Sequence, residues 1–231
     1  MKSIKAVFIK QAKDMLKNPI ALLPFLIFPL VAFFMTEFVA KGNNDIDSNM
    51  FVTMMAGIFA GFGLLQSASA AISEDIEKKS LRFLVLAGVK PHEYLLGVGG
   101  FLFITASFVS AAFGLIGGYG GTDFFKFFAV MESGALASIT LGIAIGMLSK
   151  NQQAAAGLTM PVALLFGFTP MIAQFNEKIG NFTWILYTRQ INEVVNDFSA
   201  GIIKPLLVII ANIVVFTVLF IVAYKKKGLK G

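Results

Sequence analysis

The sequence contains no cysteine and only one histidine, His92. Without cysteine the chain cannot form disulfides, zinc–thiolate sites or a thiol nucleophile. One histidine excludes a metal site built from several, and its position in a polar loop makes a Ser–His relay inside a membrane implausible. Charged residues are also few, at 14% of 231, where a soluble domain averages about 25%. These absences exclude thiol enzymes, histidine-rich metal sites and disulfide-stabilised folds.

Long apolar runs dominate the sequence instead. Hydrophobic residues make up 57% of the chain, and its mean hydropathy is +0.79. A helix of about 20 apolar residues crosses a hydrocarbon core of about 30 Å. The sequence therefore predicts an all-α, polytopic membrane protein, with six transmembrane helices in a single domain over residues 1–231. The predicted spans are 20–36, 51–72, 94–119, 127–148, 154–173 and 205–224.

The distribution of lysine and arginine predicts the direction of the spans. With the N-terminus inside, 14 of the 19 basic residues fall in cytoplasmic segments. Because basic residues are retained on the cytoplasmic side, both termini are expected there, in a bacterial plasma membrane. We attribute the net charge of +6 to this orientation and to contact of the C-terminal lysines with anionic lipid headgroups. No nucleic-acid partner is expected.

Residues 1–18 have an amphipathic pattern. One helical face gathers the apolar residues Ile4, Val7, Phe8, Ala12, Met15 and Leu16. Four lysines lie mostly off that face: Lys2, Lys10, Lys13 and Lys17. The pattern predicts a helix that lies in the membrane interface and leads into the first span. The alternative is a frayed basic tail.

The segment 73–90, between the second and third spans, is short and charged. Ser73 is expected to cap a helix here, because a serine oxygen can accept hydrogen bonds from the first backbone N–H groups. The acids Glu74, Asp75 and Glu77 then occupy the first turn, where the helix dipole favours negative charge. Gly88 is expected to end this helix, before Pro91.

An apolar strip follows these acids in the same segment. It consists of Leu81, Leu84 and Val85, with Arg82 and Phe83 to either side. A loop would suffice to join two spans, so an ordered charged helix predicts a docking surface for a soluble partner. The alternative is a solvated connector that lies against lipid headgroups.

An external amphipathic segment is predicted over residues 181–200. Its apolar residues recur at helical spacing: Phe182, Ile185, Leu186, Ile191, Val194, Val195 and Phe198. Trp184 and Tyr187 suit the membrane interface. The segment could be a short re-entrant or surface helix at the mouth of a pathway, or a passive interfacial connector.

Glu132 is the one acid clearly inside a predicted span, about 7 Å below its outer end by helix rise. An acid within a membrane is expected to face a cavity, a partner or an ion path. Glu132 is therefore a candidate for the substrate pathway. Alternatively, the fourth span starts later, and Glu132 lies at the outer surface near Asp123 and Lys126.

Three Gly-x-x-x-Gly pairs could allow helices to approach closely. They begin at Gly57, Gly114 and Gly142. Because the apolar chain contains 22 glycines, such pairs are expected by chance, and the signal is weak.

These segments, in this order, resemble ATP-binding-cassette (ABC) permeases of the second export class, and the resemblance covers nearly the whole chain. Its most specific part runs from residue 74 to 97. There the family has an acidic start, Gly-Thr-Leu, a proline-containing break and Leu-Leu-Gly-Lys. Here Lys79-Ser80-Leu81 replaces Gly-Thr-Leu, Lys90-Pro91 supplies the break, and Leu95-Leu96-Gly97-Val98 lacks the lysine.

The resemblance implies that residues 73–90 are a coupling helix, seated in a groove of a cytoplasmic ATPase. The matching positions are Glu74, Glu77, Ser80, Leu81, Arg82, Leu84 and Val85. The sequence has no Gly-x-x-x-x-Gly-Lys-Ser/Thr phosphate loop. ATP and Mg²⁺ are therefore expected on a separate ATPase chain, and no cofactor is expected on this one. Two permease chains, identical or not, would pair with two ATPases.

The leading hypothesis is thus a non-catalytic permease subunit of an ABC exporter. Its substrate would be amphipathic or hydrophobic, such as a peptide, an antibiotic or a lipid-like compound, since 25 phenylalanines and 10 methionines could line an adaptable cavity. An ion-gradient-driven transporter or channel would normally need more intramembrane charges or an internal repeat. A membrane hydrolase would have few ways to activate a nucleophile. A non-transport assembly protein is the remaining alternative.

Overall fold

The computed structural model describes residues 2–43, 47 and 49–228. The regular secondary structure in these ranges is helical, and they contain no strand. The helices are α1 (Lys2–Lys17), α2 (Pro19–Met35), α3 (Met50–Ile58), α4 (Leu64–Glu77), α5 (Ser80–Leu86), α6 (Pro91–Ile116), α7 (Gly121–Leu148), α8 (Gln152–Phe175), α9 (Glu177–Thr183), α10 (Tyr187–Asn196) and α11 (Ile203–Gly228). Thr36–Ala40 extends α2 as a π-helix, and the π-helix Phe59–Gly63 joins α3 to α4. Lys230, counted above among the C-terminal lysines, lies outside the described residues.

The six predicted spans are confirmed. Helices long and apolar enough to cross a membrane cover Ala21–Ala40, Met50–Glu77, Pro91–Ile116, Gly121–Leu148, Gln152–Ala173 and Ile203–Lys225. The second and fourth spans run five or six residues beyond their predicted limits, because polar and charged residues at their ends stay helical. The all-α, polytopic fold follows from composition and hydrophobic periodicity.

The second and fourth spans form the centre of the bundle. Each has 67% of its most apolar stretch buried, against 17% for the first span and 22% for the sixth. Gly142 and Gly146 allow this packing: an added Cβ would lie 2.5 Å from the Leu65 carbonyl oxygen and 2.6 Å from that of Ser69. The weak glycine signal at this pair therefore marks a real close approach. At Gly57 an added Cβ would meet nothing within 4 Å.

Helix α1 packs along the start of α6, so the predicted N-terminal helix is present. Its contact depends on Gly97, where an added Cβ would lie 2.6 Å from Val7. Val7 and Met15 of the predicted apolar face are buried, but Leu16 is 71% exposed. Gln11 is buried although it is polar. The buried face is therefore rotated away from Leu16 toward Gln11.

The prediction of one helix over 73–90, capped by Ser73, is wrong. Helix α4 continues through Ser73, whose Oγ donates to the Ala70 carbonyl oxygen at 3.0 Å, and ends at Glu77. Lys79 then adopts a left-handed conformation, with φ of 59°, before α5 begins. Glu74, Asp75 and Glu77 thus lie in the last turn of α4. Burial of the apolar face of α4 extends the helix past the serine cap signal.

The segment 181–200 also forms two short helices instead of one. Phe182 belongs to α9 and is 84% exposed, whereas α10 packs against α3, α7, α8 and α11. Tyr187, expected at the membrane interface, is completely buried. Its Oη is 2.8 Å from Ser138 Oγ on α7, and its ring stacks on Phe166 at 5.0 Å. Helix α10 is thus packed within the bundle, and its place at the mouth of a pathway stays a prediction.

One end of the bundle carries α1, α5, the turn at 149–151 and the C-terminal turns of α11, and is called the basic end below. Three hydrogen-bonded contacts hold these parts together: Lys10 with Asp75, Gln152 with Glu77, and Tyr224 with Val89. Helix α1 and the last turns of α11 therefore lie at the same end, as six spans require. The cytoplasmic location of this end stays a prediction.

Candidate functional site

Asp75 is the centre of a polar cluster at the basic end. Its side chain is 3% exposed. Lys10 of α1 forms an ion pair with Asp75 Oδ1, and Ser80 Oγ of α5 donates to the same oxygen at 3.0 Å. Tyr94 Oη of α6 donates to Oδ2 at 2.7 Å. One buried carboxylate therefore joins four helices.

Removing one member of this cluster should lower the stability of the folded protein, for electrostatic reasons. A buried carboxylate is tolerated when it is paired and hydrogen-bonded, and removing one partner leaves an uncompensated charge. Lys10 also pairs with Asp14, at 2.9 Å. Burial lowers the pKa of Lys10, but the charge of Asp75 and the hydrogen bonds raise it more, so the pKa lies above its ordinary value of 10.5. Lys10 is therefore positively charged at neutral pH.

Helix α5 is held at both ends. At its start, Ser80 Oγ bonds to Asp75 across the left-handed Lys79. At its end, Gly88 has a φ of 82°, and the Val89 N–H donates to the Leu84 carbonyl oxygen at 3.0 Å. This end confirms the predicted glycine stop. The Val89 carbonyl oxygen in turn accepts from Tyr224 Oη of α11 at 3.0 Å.

The apolar side chains of α5 point in two directions. Leu81 is buried, and Leu84 and Val85 are half-buried against the core of the bundle. The outer face carries Arg82, Phe83 and Leu86: Arg82 is exposed, Phe83 is 70% exposed and Leu86 is 74% exposed. The predicted apolar strip therefore packs against the bundle itself, and the free apolar surface is formed by Phe83 and Leu86.

The two acids of the predicted interface are engaged within the chain. Glu74 forms an ion pair with Lys78, one turn later. Glu77 Oε2 accepts from the backbone N–H of Gln152, at 3.0 Å. Gln152 opens α8, and a carboxylate is favourable at a helix N-terminus. Glu77 thereby links the end of the second span to the start of the fifth. The assignment of these residues to an ATPase interface stays a prediction.

Glu132 lies further along its helix than predicted. Helix α7 begins at Gly121, so Glu132 is about 16 Å along the helix by its rise. The apolar helix that could form the fourth span covers Gly121–Leu148, and the depth of Glu132 in the membrane stays a prediction. Ser107 Oγ of α6 donates to Glu132 Oε2 at 2.6 Å. The described contacts thus place Glu132 between the third and fourth spans, and its part in a pathway stays a prediction.

The sequence pattern did contain a signal for the Asp75 cluster. Asp75 follows Ala68, Ala71 and Ile72 at helical spacing, and all three are buried. Extending the period of the second span past Ser73 would have placed Asp75 on the buried face. Its partners Lys10 and Tyr94 come from distant parts of the chain, and no local pattern joins them.

A comparison with protein families gives a match to the ABC-2 type transporter family over residues 2–188. No curated protein sequence matches the chain. The matched range includes α1, the first five spans and the complete Asp75 cluster. Because the match covers most of the 231 residues, the chain belongs to the ABC-2 type transporter family and is a multi-pass membrane permease.

Proposed function

We propose that this permease is the membrane subunit of an ATP-driven exporter and receives its energy from a separate ATPase docked at the basic end. The observation that carries the proposal is the outer face of α5. Phe83 and Leu86 are exposed outside the apolar spans, which end at Glu77 and resume at Pro91. Adjacent exposed apolar side chains at such a place suit a protein partner. Arg82 adds a charge beside them.

The position of α5 supports a role in transmitting movement. Asp75 connects α5 to α1 and α6, and the Val89–Tyr224 hydrogen bond connects its end to α11. Glu77 adds the contact to α8. A displacement of α5 would therefore reach α11 through Val89, and α1, α6 and α8 through the last turn of α4. ATP binding to the partner would favour one of two packings of the bundle, and hydrolysis would restore the other.

Further partners and the substrate class belong to the same proposal. A sequence without a phosphate loop requires ATP and Mg²⁺ to be bound by the ATPase chain. A second permease chain would complete the pathway, with amphipathic or hydrophobic substrates as cargo. Membership in the ABC-2 family favours this proposal over a secondary transporter, a channel, a membrane hydrolase or an assembly protein.

The test is co-purification with a phosphate-loop ATPase encoded by a neighbouring gene. We expect Phe83→Ser and Leu86→Ser each to weaken the complex about thirtyfold, as for residues that dominate an interface. Phe182→Ser is the matched control, because Phe182 is even more exposed, at 84%, but lies on α9, away from the basic end. Arg82→Glu should lower ATPase stimulation while membrane insertion is kept. Unchanged affinity in both α5 variants would reject this surface.

A further inference from the structure

A cavity of about 230 Å³ opens beside the Asp75 cluster at the basic end. It lies between α1, α2 and α4, and the first residue of α8 closes one side. Its lining residues are Gln11, Met15, Asn18, Ala21, Pro24, Gln66, Ser67, Ala70, Ala71, Glu74 and Gln152. The transmission of movement from α5 that is proposed above does not involve this cavity.

Two polar residues of the lining are buried. Ser67 is 8% exposed, and its Oγ is buried and has no hydrogen-bond partner among the described residues. Gln11 is 3% exposed, and it lines the same cavity. Buried polar groups are almost always paired, because leaving one unpaired is unfavourable. The Ser67 hydroxyl is therefore suited to a ligand that supplies the missing bond.

The charge of the lining indicates the type of ligand. Four of the polar lining residues are amides: Gln11, Asn18, Gln66 and Gln152. Among the described lining residues Glu74 is the one ionisable group, and it is already paired with Lys78. The cavity thus offers uncharged donors and acceptors, with no basic group for a phosphate or carboxylate. An uncharged head rich in hydroxyl or amide groups fits this set.

The cavity also reaches into the apolar layer. From Glu74 to Gln66 it follows α4 for about 12 Å by helix rise. Met15, Ala21 and Pro24 supply apolar walls where α1 passes into the first span. The neighbouring Leu23 is 48% exposed, so the outer face of α2 continues as an apolar surface. This arrangement suits a molecule with a polar head and an apolar tail.

We propose that this cavity binds the uncharged, hydrogen-bonding head of an amphipathic molecule, with its tail along α2. Gln11 and Ser67 bond to the head, while Met15 and Pro24 contact the start of the tail. The role of this site as the entry point for transported substrate rests on the proposed function. The binding itself does not, because it needs neither ATP nor an ATPase.

The test uses an octyl glucoside with a photoreactive diazirine in its tail, added to the full chain in phosphatidylcholine nanodiscs without nucleotide. Cross-linked peptides are identified by mass spectrometry. We expect labelling in the peptides that carry Met15–Leu26. Gln11→Leu and Ser67→Val should each lower it about tenfold, since each removes one hydrogen bond in a buried site. Thr188→Val is the matched control, because Thr188 carries another buried, unpartnered hydroxyl and does not line this cavity.

A competition on the unchanged chain keeps the proposal testable if a variant fails to fold. Excess octyl glucoside should remove the labelling, whereas octyl sulfate, with the same tail and an anionic head, should leave most of it. Equal competition by the sulfate, or full labelling in both variants, would overturn the proposal. Loss of ATPase binding in the Phe83 experiment would leave this result unaffected, so the two proposals can fail separately.

Discussion

Tyr94 donates its phenol hydrogen to the buried carboxylate of Asp75 at 2.7 Å, and this bond joins the start of the third span to the end of the second. The two residues stand 19 positions apart, with the whole of α5 between them. The bond therefore closes the loop that carries α5. Ser80, which also donates to Asp75, lies inside that loop, and Lys10 approaches Asp75 from α1.

Tyr94→Phe is expected to destabilise the protein without changing its shape. The change removes a hydrogen bond to a buried charge and keeps the ring, at a cost of about 1.5–3 kcal/mol. Thermal unfolding in detergent would show a lower midpoint. ATPase stimulation should fall more than ATPase binding, since the outer face of α5 is unchanged. A variant with the wild-type midpoint and full stimulation would contradict a role for this bond.

Lys10→Met tests the other side of the same cluster. The raised pKa of Lys10 means that its charge stabilises the folded state fully below the unfolded pKa of 10.5, and that this contribution is lost as pH rises through the higher folded value. We expect wild-type stability to fall with increasing pH above about 10.5. The variant should lose less over that range. Identical pH profiles would show that the Lys10–Asp75 pair adds nothing.

A double-mutant cycle separates pairing from simple loss of a side chain. Asp75→Asn alone should cost about 3–5 kcal/mol, because it leaves the half-buried Lys10 with Asp14 as its remaining partner. Adding Lys10→Met should recover part of that loss, since the half-buried ammonium is then removed and Asp14, which loses its partner, is partly exposed. The measurement is the unfolding midpoint of both single variants and the double variant. Additive effects would mean that the two residues do not interact.

The sequence predicted the parts of this fold that depend on local pattern. Six apolar runs identified six spans, and Gly88 correctly marked the end of α5. The boundary at Ser73 was wrong, because packing of Ile72 and Asp75 against the bundle outweighs the preference of serine for a helix cap. Residue type alone predicts Tyr187 at the interface, whereas its bond to Ser138 bridges 49 residues. Contacts between residues so far apart in the sequence leave no local sequence pattern.

Glu132→Gln tests the proposed pathway role of the one acid deep within α7. Glutamine keeps the size of the side chain and can still accept from Ser107 Oγ, so folding should be preserved. If Glu132 acts by its charge, substrate stimulation of the ATPase should fall about tenfold while basal hydrolysis stays constant. Asp123→Asn, in the first turn of the same helix, is the control. Full stimulation in the glutamine variant would remove Glu132 from the pathway.

Gly146→Ala tests whether the close contact of the second and fourth spans is rigid. The added methyl group would lie 2.6 Å from the Ser69 carbonyl oxygen, which is fixed in the backbone, so the helices must separate. We expect destabilisation of about 1–3 kcal/mol, seen as a lower unfolding midpoint. Gly157→Ala is the matched control, since its methyl group meets nothing within 4 Å and alanine favours a helix. Equal midpoints would mean that α4 and α7 can separate without loss of stability. In that case α4, which carries Asp75, could move without moving α7.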